Sequence, residues 1–211
     1  PAHTVSHAPY PVPPHLKSQL LLALLKKTDT NSVLIFARTK YRAQKVAQQI
    51  ERAGHQVTSL HGDRSQGQRT SALKGFKDGT HQIMVATDIA ARGLDVESIS
   101  HVINYDMPDT ADAYIHRIGR TGRAQRTGDA FTLVTPEDND MIRILERIMG
   151  GPIKRETIEG FDYTAAAPPR TAGDVRGRGR GAPREDSRRP PRPAPTPKSY
   201  GRNRLAPRKS K

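Results

Sequence analysis

"SVLIFARTKYRAQKVAQQIERAGHQVTSL", residues 32–60, decides the fold. Its first part, Val33 to Ala37, is a short unbroken apolar run, the mark of a strand buried on both faces. Apolar residues then recur at Ala43, Val46, Ala47 and Ile50, the spacing of one helical face, and Gly54 stands just past the last of them. Residues 56–60 return to strand character. A strand, a helix and a second strand in this order predict a crossover unit with parallel strands.

The alternation continues on both sides. Residues 15–27, with "LLLALL" at 20–25, predict an amphipathic helix. Ser65 and Gln68 form a Ser-x-x-Gln capping box ahead of a helix that buries Ala72, Leu73 and Phe76. "QIMVAT" (82–87), "HVINY" (101–105) and "AFTLVT" (130–135) predict further strands, and a helix follows Asp106. Thr135-Pro136-Glu137-Asp138 opens a last helix with a cap, a proline and acids against the positive helix end. Its apolar stripe is Ile142, Leu145 and Ile148, and Gly150-Gly151 ends it. The expected class is α/β: a parallel sheet with helices on both faces. The strands are too continuously apolar for a half-exposed antiparallel sheet.

In such sheets ligands gather beyond the carboxyl ends of the strands. Those ends are followed by Arg38-Thr39, by "HGDRSQGQR" (61–69), by "DIAARGLD" (88–95) and, after Asp106, by the helix into "YIHRIGRTGRAQRTGDA" (114–130). Arg38, Arg64, Arg69, Arg92, Arg117, Arg120 and Arg123 are therefore expected on one edge, beside Thr39, Thr87, Asp88 and Asp95. Guanidinium forks match phosphate oxygens, so this edge is suited to phosphates. No Gly-x4-Gly-Lys-Ser/Thr loop accompanies it; the dipeptide Gly-Lys is absent. Arginines without a phosphate cradle are what one half of a two-part site would contain. Arg120 and Arg123 are expected to be fingers presented to a nucleotide held elsewhere. Gly119 and Gly122 would let the backbone come close.

The chain has 211 residues and a net charge of +14. From Ala166 onward there are 14 Lys/Arg and three Asp/Glu, net +11, against a net +3 for everything before. That segment holds nine of the 17 prolines and a single aromatic, Tyr200. It cannot bury enough apolar surface to offset its ordering entropy. The expectation is a globular body, residues 1–165, and a disordered Arg/Pro/Gly-rich RNA-binding tail, residues 166–211. There is no cysteine, so no disulfide framework or cysteine metal site exists, and the scattered histidines show no ligand spacing, so no metal is assigned. No apolar run is long enough to span a membrane, and no secretory leader is visible. A start at Pro1 rather than Met suggests a processed chain or a fragment.

"VLIFART", "HGDRSQGQR", "VATDIAARGLD" and "YIHRIGRTGR" resemble, in order and spacing, the motifs of the second, C-terminal RecA-like domain of DEAD-box ATP-dependent RNA helicases. The likeness covers about residues 5–160. Residues 104–138 are most similar to the bacterial RhlE-type subgroup. The resemblance implies a RecA-like fold and an ATP-dependent enzyme that unwinds or remodels short RNA duplexes in the cytoplasm. It implies that Arg120 and Arg123 meet the γ-phosphate and that Asp95 meets the ribose. Arg92 and His116 would couple the nucleotide site, the RNA and the facing domain. Arg38, Gly62, Asp63, Arg69 and Thr87 would contact the RNA backbone. ATP and Mg2+ would be bound mainly by an N-terminal RecA-like domain, whose phosphate loop and Asp-Glu-Ala-Asp site this sequence lacks, so the chain alone is expected to be inactive. The alternative is a standalone RNA-binding module without ATPase activity.

Overall fold

The computed structural model describes residues 5–29, 31–94, 96, 99–121 and 128–167. Asp95, Arg123 and the basic segment from residue 168 onward lie outside the described residues. The body is a six-stranded, all-parallel sheet with helices on both faces. Its strands are β1 (Val5–Pro11), β2 (Val33–Phe36), β3 (Val57–Leu60), β4 (Ile83–Ala86), β5 (His101–Asn104) and β6 (Gly128–Val134), in the order β1-β6-β5-β2-β4-β3. The helices are α1 (Lys17–Lys27), α2 (Lys40–Arg52), α3 (Gln66–Lys77), α4 (Asp88–Ala91), α5 (Ala111–Ile118) and α6 (Asn139–Met149).

The unbroken apolar strands have a simple cause. Successive side chains of a strand point to opposite faces, and here both faces are covered. Val33, Ile35, Ile83, Val85 and Ile103 pack with Leu20, Leu21 and Leu24 of α1 and with Ala43, Val46 and Ile50 of α2. Leu34, Phe36, Met84, Ala86 and Val102 pack on the other side with Tyr114 and Ile118 of α5 and Ile142 and Leu145 of α6. Local signals end the helices where the sequence places them. Ser65 and Gln68 make the full reciprocal capping box of α3, and Thr39 and Thr110 cap α2 and α5. Gly54 and Gly150 adopt positive φ just beyond α2 and α6.

Three details differ from expectation. The helix expected from His15 begins as a 3-10 turn, Pro14–Leu16, before α1. Ile148 does not belong to the buried stripe of α6; it is 55% exposed, and Met149 continues the stripe from Ile142 and Leu145 in its place. Strand β1 has no apolar signature, because it is an edge strand containing Pro9 and Pro11. The Pro9 carbonyl points away from β6 and accepts from the Glu156 N–H at 2.9 Å. Pro11 shares its parity, so both missing donors lie on the side that owes nothing to the ladder.

Stability should follow this layering. Ile35 is fully buried in the central strand, and Ile35→Ala should cost about 2–5 kcal/mol. Ile148→Ala should stay within about 0.5 kcal/mol. Urea unfolding of the two variants checks the contrast, and equal losses would contradict it.

Candidate functional site

Beyond β2 the chain runs first toward β3 and β4, and then crosses to β5 on the other side of β2. The crevice of the fold therefore opens beyond the carboxyl ends of β2, β4 and β5. Three short segments line it: residues 37–39, 87–94 and 105–107.

Arg117 organises this edge. It sits on the inward face of α5, 3% exposed, beside the buried Tyr114 and Ile118. Its Nε and Nη2 donate to the two carboxylate oxygens of Asp88 at 2.7 and 2.6 Å. Its Nη1 donates to the Asp106 carbonyl at 2.7 Å and to Asn104 Oδ1 at 3.2 Å. The guanidinium lies 4.9 Å from the Phe36 ring centroid. One side chain thus ties α5 to the end of β2 and to the segments that follow β4 and β5. Arg117 was expected among the phosphate-facing arginines; every arm of its fork is instead spent inside the protein. Arg64 differs from expectation in the same way, its Nη2 turned back onto Ser59 Oγ at 2.6 Å.

A second buried charge system lies across the sheet. Asp106, 3% exposed, accepts from Lys17 Nζ at 2.9 Å, from Arg42 Nη1 at 2.8 Å and from the Arg38 N–H at 2.9 Å. Burial pushes its carboxyl upward, but Lys17, the Arg38 N–H and Arg42 outweigh it and hold Asp106 below the ordinary aspartate value. The pair Lys17–Asp106 was not legible as a contact in the sequence. Only the position of Asp106, directly after a strand, hinted at it.

The remaining expected residues are spread along the edge. Arg92, His116 and Arg120 surround a small hollow of about 140 Å³ with Asp88, Ala113 and Phe36. Arg120 Nη1 donates to the Leu94 carbonyl at 2.9 Å. Just after it, the buried Thr121 hydroxyl bonds the carbonyls of Ile99 and Ser100, which fixes the backbone at the end of this turn. Arg69 lines a neighbouring hollow of about 170 Å³ with Arg92 and Gly93, so Arg92 borders both. Thr87 stands before α4 without capping it. Among the described residues, the side chains of Arg69, Thr87, Arg92 and His116 make no hydrogen bond. Gly62 and Asp63 are exposed in the turn after β3, and Asp63 pairs with Lys40 at 2.8 Å. Arg38 is set apart: it lines a larger groove near α1 and α2, with its Nη2 on the Met107 carbonyl at 3.0 Å. Asp95 and Arg123 lie outside the described residues. The edge is therefore not one cluster of seven arginines. Among the described residues, Arg64 and Arg117 turn inward, Arg92 and Arg120 share one hollow, Arg69 meets Arg92 at a second, and Arg38 lines a groove of its own.

The chain belongs to the family of the helicase conserved C-terminal domain, whose model matches residues 16–125. Within it, the chain is a DEAD-box C-terminal RecA-like domain. It is 40% identical over 151 residues to the DEAD-box ATP-dependent RNA helicase CshA of Bacillus licheniformis, a match covering 68% of this chain and 31% of that protein. It is 47% identical over 142 residues to the RNA helicase CrhR of Synechocystis, covering 67% and 29%. Among solved structures, the E. coli DEAD-box protein SrmB bound to regulator of ribonuclease activity A superposes with a TM-score of 0.72 at 36% identity, covering 78% of this chain and 97% of that one. The C-terminal domain of the DEAD-box protein Dbp5 superposes with a TM-score of 0.66 at 29% identity, covering 73% and 91%. The chain spans about a third of the length of the curated relatives it matches.

Arg117→Ala leaves Asn104 and the Asp106 carbonyl without their buried donor, and should cost about 3 kcal/mol. Arg117→Lys should recover little of it, since one ammonium cannot reach the three partners of the planar fork. Chemical denaturation of both variants is the measurement; a fully stable Arg117→Lys would contradict the clamp.

Proposed function

We propose that this chain is the C-terminal half of an ATP-dependent RNA helicase that unwinds or remodels short RNA duplexes. The observation that carries this reading is the placement of Arg92, His116 and Arg120 around one hollow at the carboxyl edge, above the inward-turned Arg117. Arg120 and Arg123 would act as arginine fingers on the γ-phosphate of an ATP held by an N-terminal RecA-like domain. Fixed guanidinium groups lower the barrier by neutralising charge that spreads over the transferring phosphoryl group. Asp95 would meet the ribose. Arg92 and His116, with donors not used inside the protein, would couple the nucleotide to the facing domain.

Thr87, Arg69, Gly62 and Asp63, with Arg38 further along, would contact the RNA backbone, which makes binding tolerant of sequence. The unspent hydroxyl of Thr87 and guanidinium of Arg69 support this. For Mg2+ the fit is poor on this side: among the described residues no group of three His, Cys, Asp or Glu side chains could hold an ion. The ion would be held by phosphates and the other domain. Among the described residues no helix is long and apolar enough to cross a membrane. We place the enzyme in the cytoplasm, and in the RhlE-type subgroup on the similarity of residues 104–138. A standalone RNA-binding module is the weaker reading, because such a module has no use for Arg120 beside Arg92 and His116.

The chain alone should show negligible RNA-stimulated ATPase activity, since one half-site cannot preorganise the transition state. Joined to an N-terminal RecA-like domain of the family, it should turn over ATP, and Arg120→Ala or Arg123→Ala should lower that rate about 10³-fold or more. Turnover by the chain alone, or near-normal turnover of either variant, would sink the assignment.

The segment from Ala166 to Lys211 would serve as an electrostatic tether that keeps RNA near the body. If about six of its charges reach phosphates of a single strand, log K should fall with log salt at a slope near −4. Removing residues 166–211 should weaken binding and flatten the slope while the thermal unfolding of the body hardly moves. Equal slopes would reduce the tail to a solubilising extension.

A further inference from the structure

Tyr41 is the most exposed aromatic side chain among the described residues, at 73%. It stands on the first turn of α2, on the wall of a groove of about 840 Å³. This groove is separate from the hollows of Arg92, His116 and Arg69. Tyr41, Lys45 and Gln49 all line it, and they recur at the four-residue spacing that stacks side chains on one helix face. The stripe therefore presents an aromatic ring, a cation and an amide over about 12 Å of helix. Among the described residues, Lys45 has no ion-pair partner and the Tyr41 hydroxyl no hydrogen bond. Lys40 Nζ lies over one face of the Tyr41 ring, 5.2 Å from its centroid, and pairs with Asp63 in the turn after β3, so a base would stack on the other face. The stripe is thus continuous with the turn that carries Gly62 and Asp63.

The charges around the groove decide what it takes. The Asp106 carboxylate is already neutralised by Lys17 and Arg42. Glu137 and Asp138 lie on the far wall, near the end of β6. A polyanion is therefore repelled from the β6 side and drawn to the α2 side, where Lys45 has no carboxylate partner among the described residues. An exposed ring flanked by cations is how single strands are held without regard to sequence: bases stack on the ring and phosphates meet the cations. A duplex hides its base faces and gains nothing from Tyr41.

We propose that the Tyr41–Lys45–Gln49 stripe of α2 is a binding site for a single-stranded RNA segment, with a base stacked on Tyr41, a phosphate at Lys45 and a ribose or base edge within reach of Gln49. This rests on the RNA-binding reading above and extends the RNA path past Gly62 and Asp63, and past Arg38 of the same groove, along a helix face beyond the "VLIFART" motif.

The test is fluorescence anisotropy of the full 211-residue chain with a labelled single-stranded oligoadenylate, titrated across salt. Tyr41→Ala should weaken binding about fivefold or more and leave the salt slope unchanged. Tyr41→Phe should bind within about twofold of the parent, because the ring and not the hydroxyl does the stacking. Lys45→Ala should flatten the slope by about 0.7, the share of one phosphate. Both positions are on an exposed helix face where alanine is a good helix former, so folding is not at risk. Arg69→Ala serves as the comparison. If it weakens binding while Tyr41→Ala and Lys45→Ala match the parent in affinity and slope, the stripe is rejected and the RNA-binding reading stands. If all three match the parent, both are overturned. An equal loss on a fully paired duplex would overturn the assignment to single strands.

Discussion

A guanidinium with little access to water must find acceptors for its donors, and Arg117 finds them on three residues in two different segments. The carboxylate of Asp88, the side chain of Asn104 and the carbonyl of Asp106 belong to the ends of β4 and β5 and the start of α4. None of these segments could shift without leaving a buried donor unpaired, which is costly in a low-dielectric interior. The outward residues inherit that rigidity. Arg92 closes the four-residue helix that Asp88 begins, and His116 and Arg120 flank Arg117 on either side in sequence. The groups proposed to meet the nucleotide are thus held by one that never does.

Much of this was written in the sequence. The two-faced strands were legible because burial on both sides demands an unbroken apolar run, and β2, β4 and β5 supply one. Helix ends were legible because Ser65, Gln68, Thr135 and Gly150 act locally. Strand β1 was not, since its two prolines and its edge position remove both the periodicity and the apolar content that announce a strand. The arginines of the edge were legible as a group but not one by one. A polar residue after a strand looks the same whether it turns in or out. For Arg117 a signal did exist: it follows Tyr114 by three positions and precedes Ile118, which puts it on the buried stripe of α5. Ile148 shows the reverse error: after Leu145 both a three- and a four-residue step are helical, and the core takes the four-residue step to Met149.

The two buried charge systems divide the sheet between them. Arg117 works on the face covered by α5 and α6, whereas Asp106 with Lys17 and Arg42 works on the face covered by α1 and α2. Asp106 joins the two, since its carbonyl serves Arg117 and its carboxylate serves Lys17, Arg42 and the Arg38 N–H. Both halves of one residue at the end of β5 thereby fix the floor of the crevice, and neither half faces a ligand.

The prolines of β1 bear on how the sheet avoids pairing with strands that are not its own. An open parallel sheet has two raw margins, and either could template a foreign strand. At one margin the donors that an incoming backbone would need are absent at Pro9 and Pro11, and residue 156 already occupies the Pro9 carbonyl. At the other, β3 offers only four residues. With both margins blunted in this way, the sheet gives a second copy of the domain no ready strand on which to build a fibre.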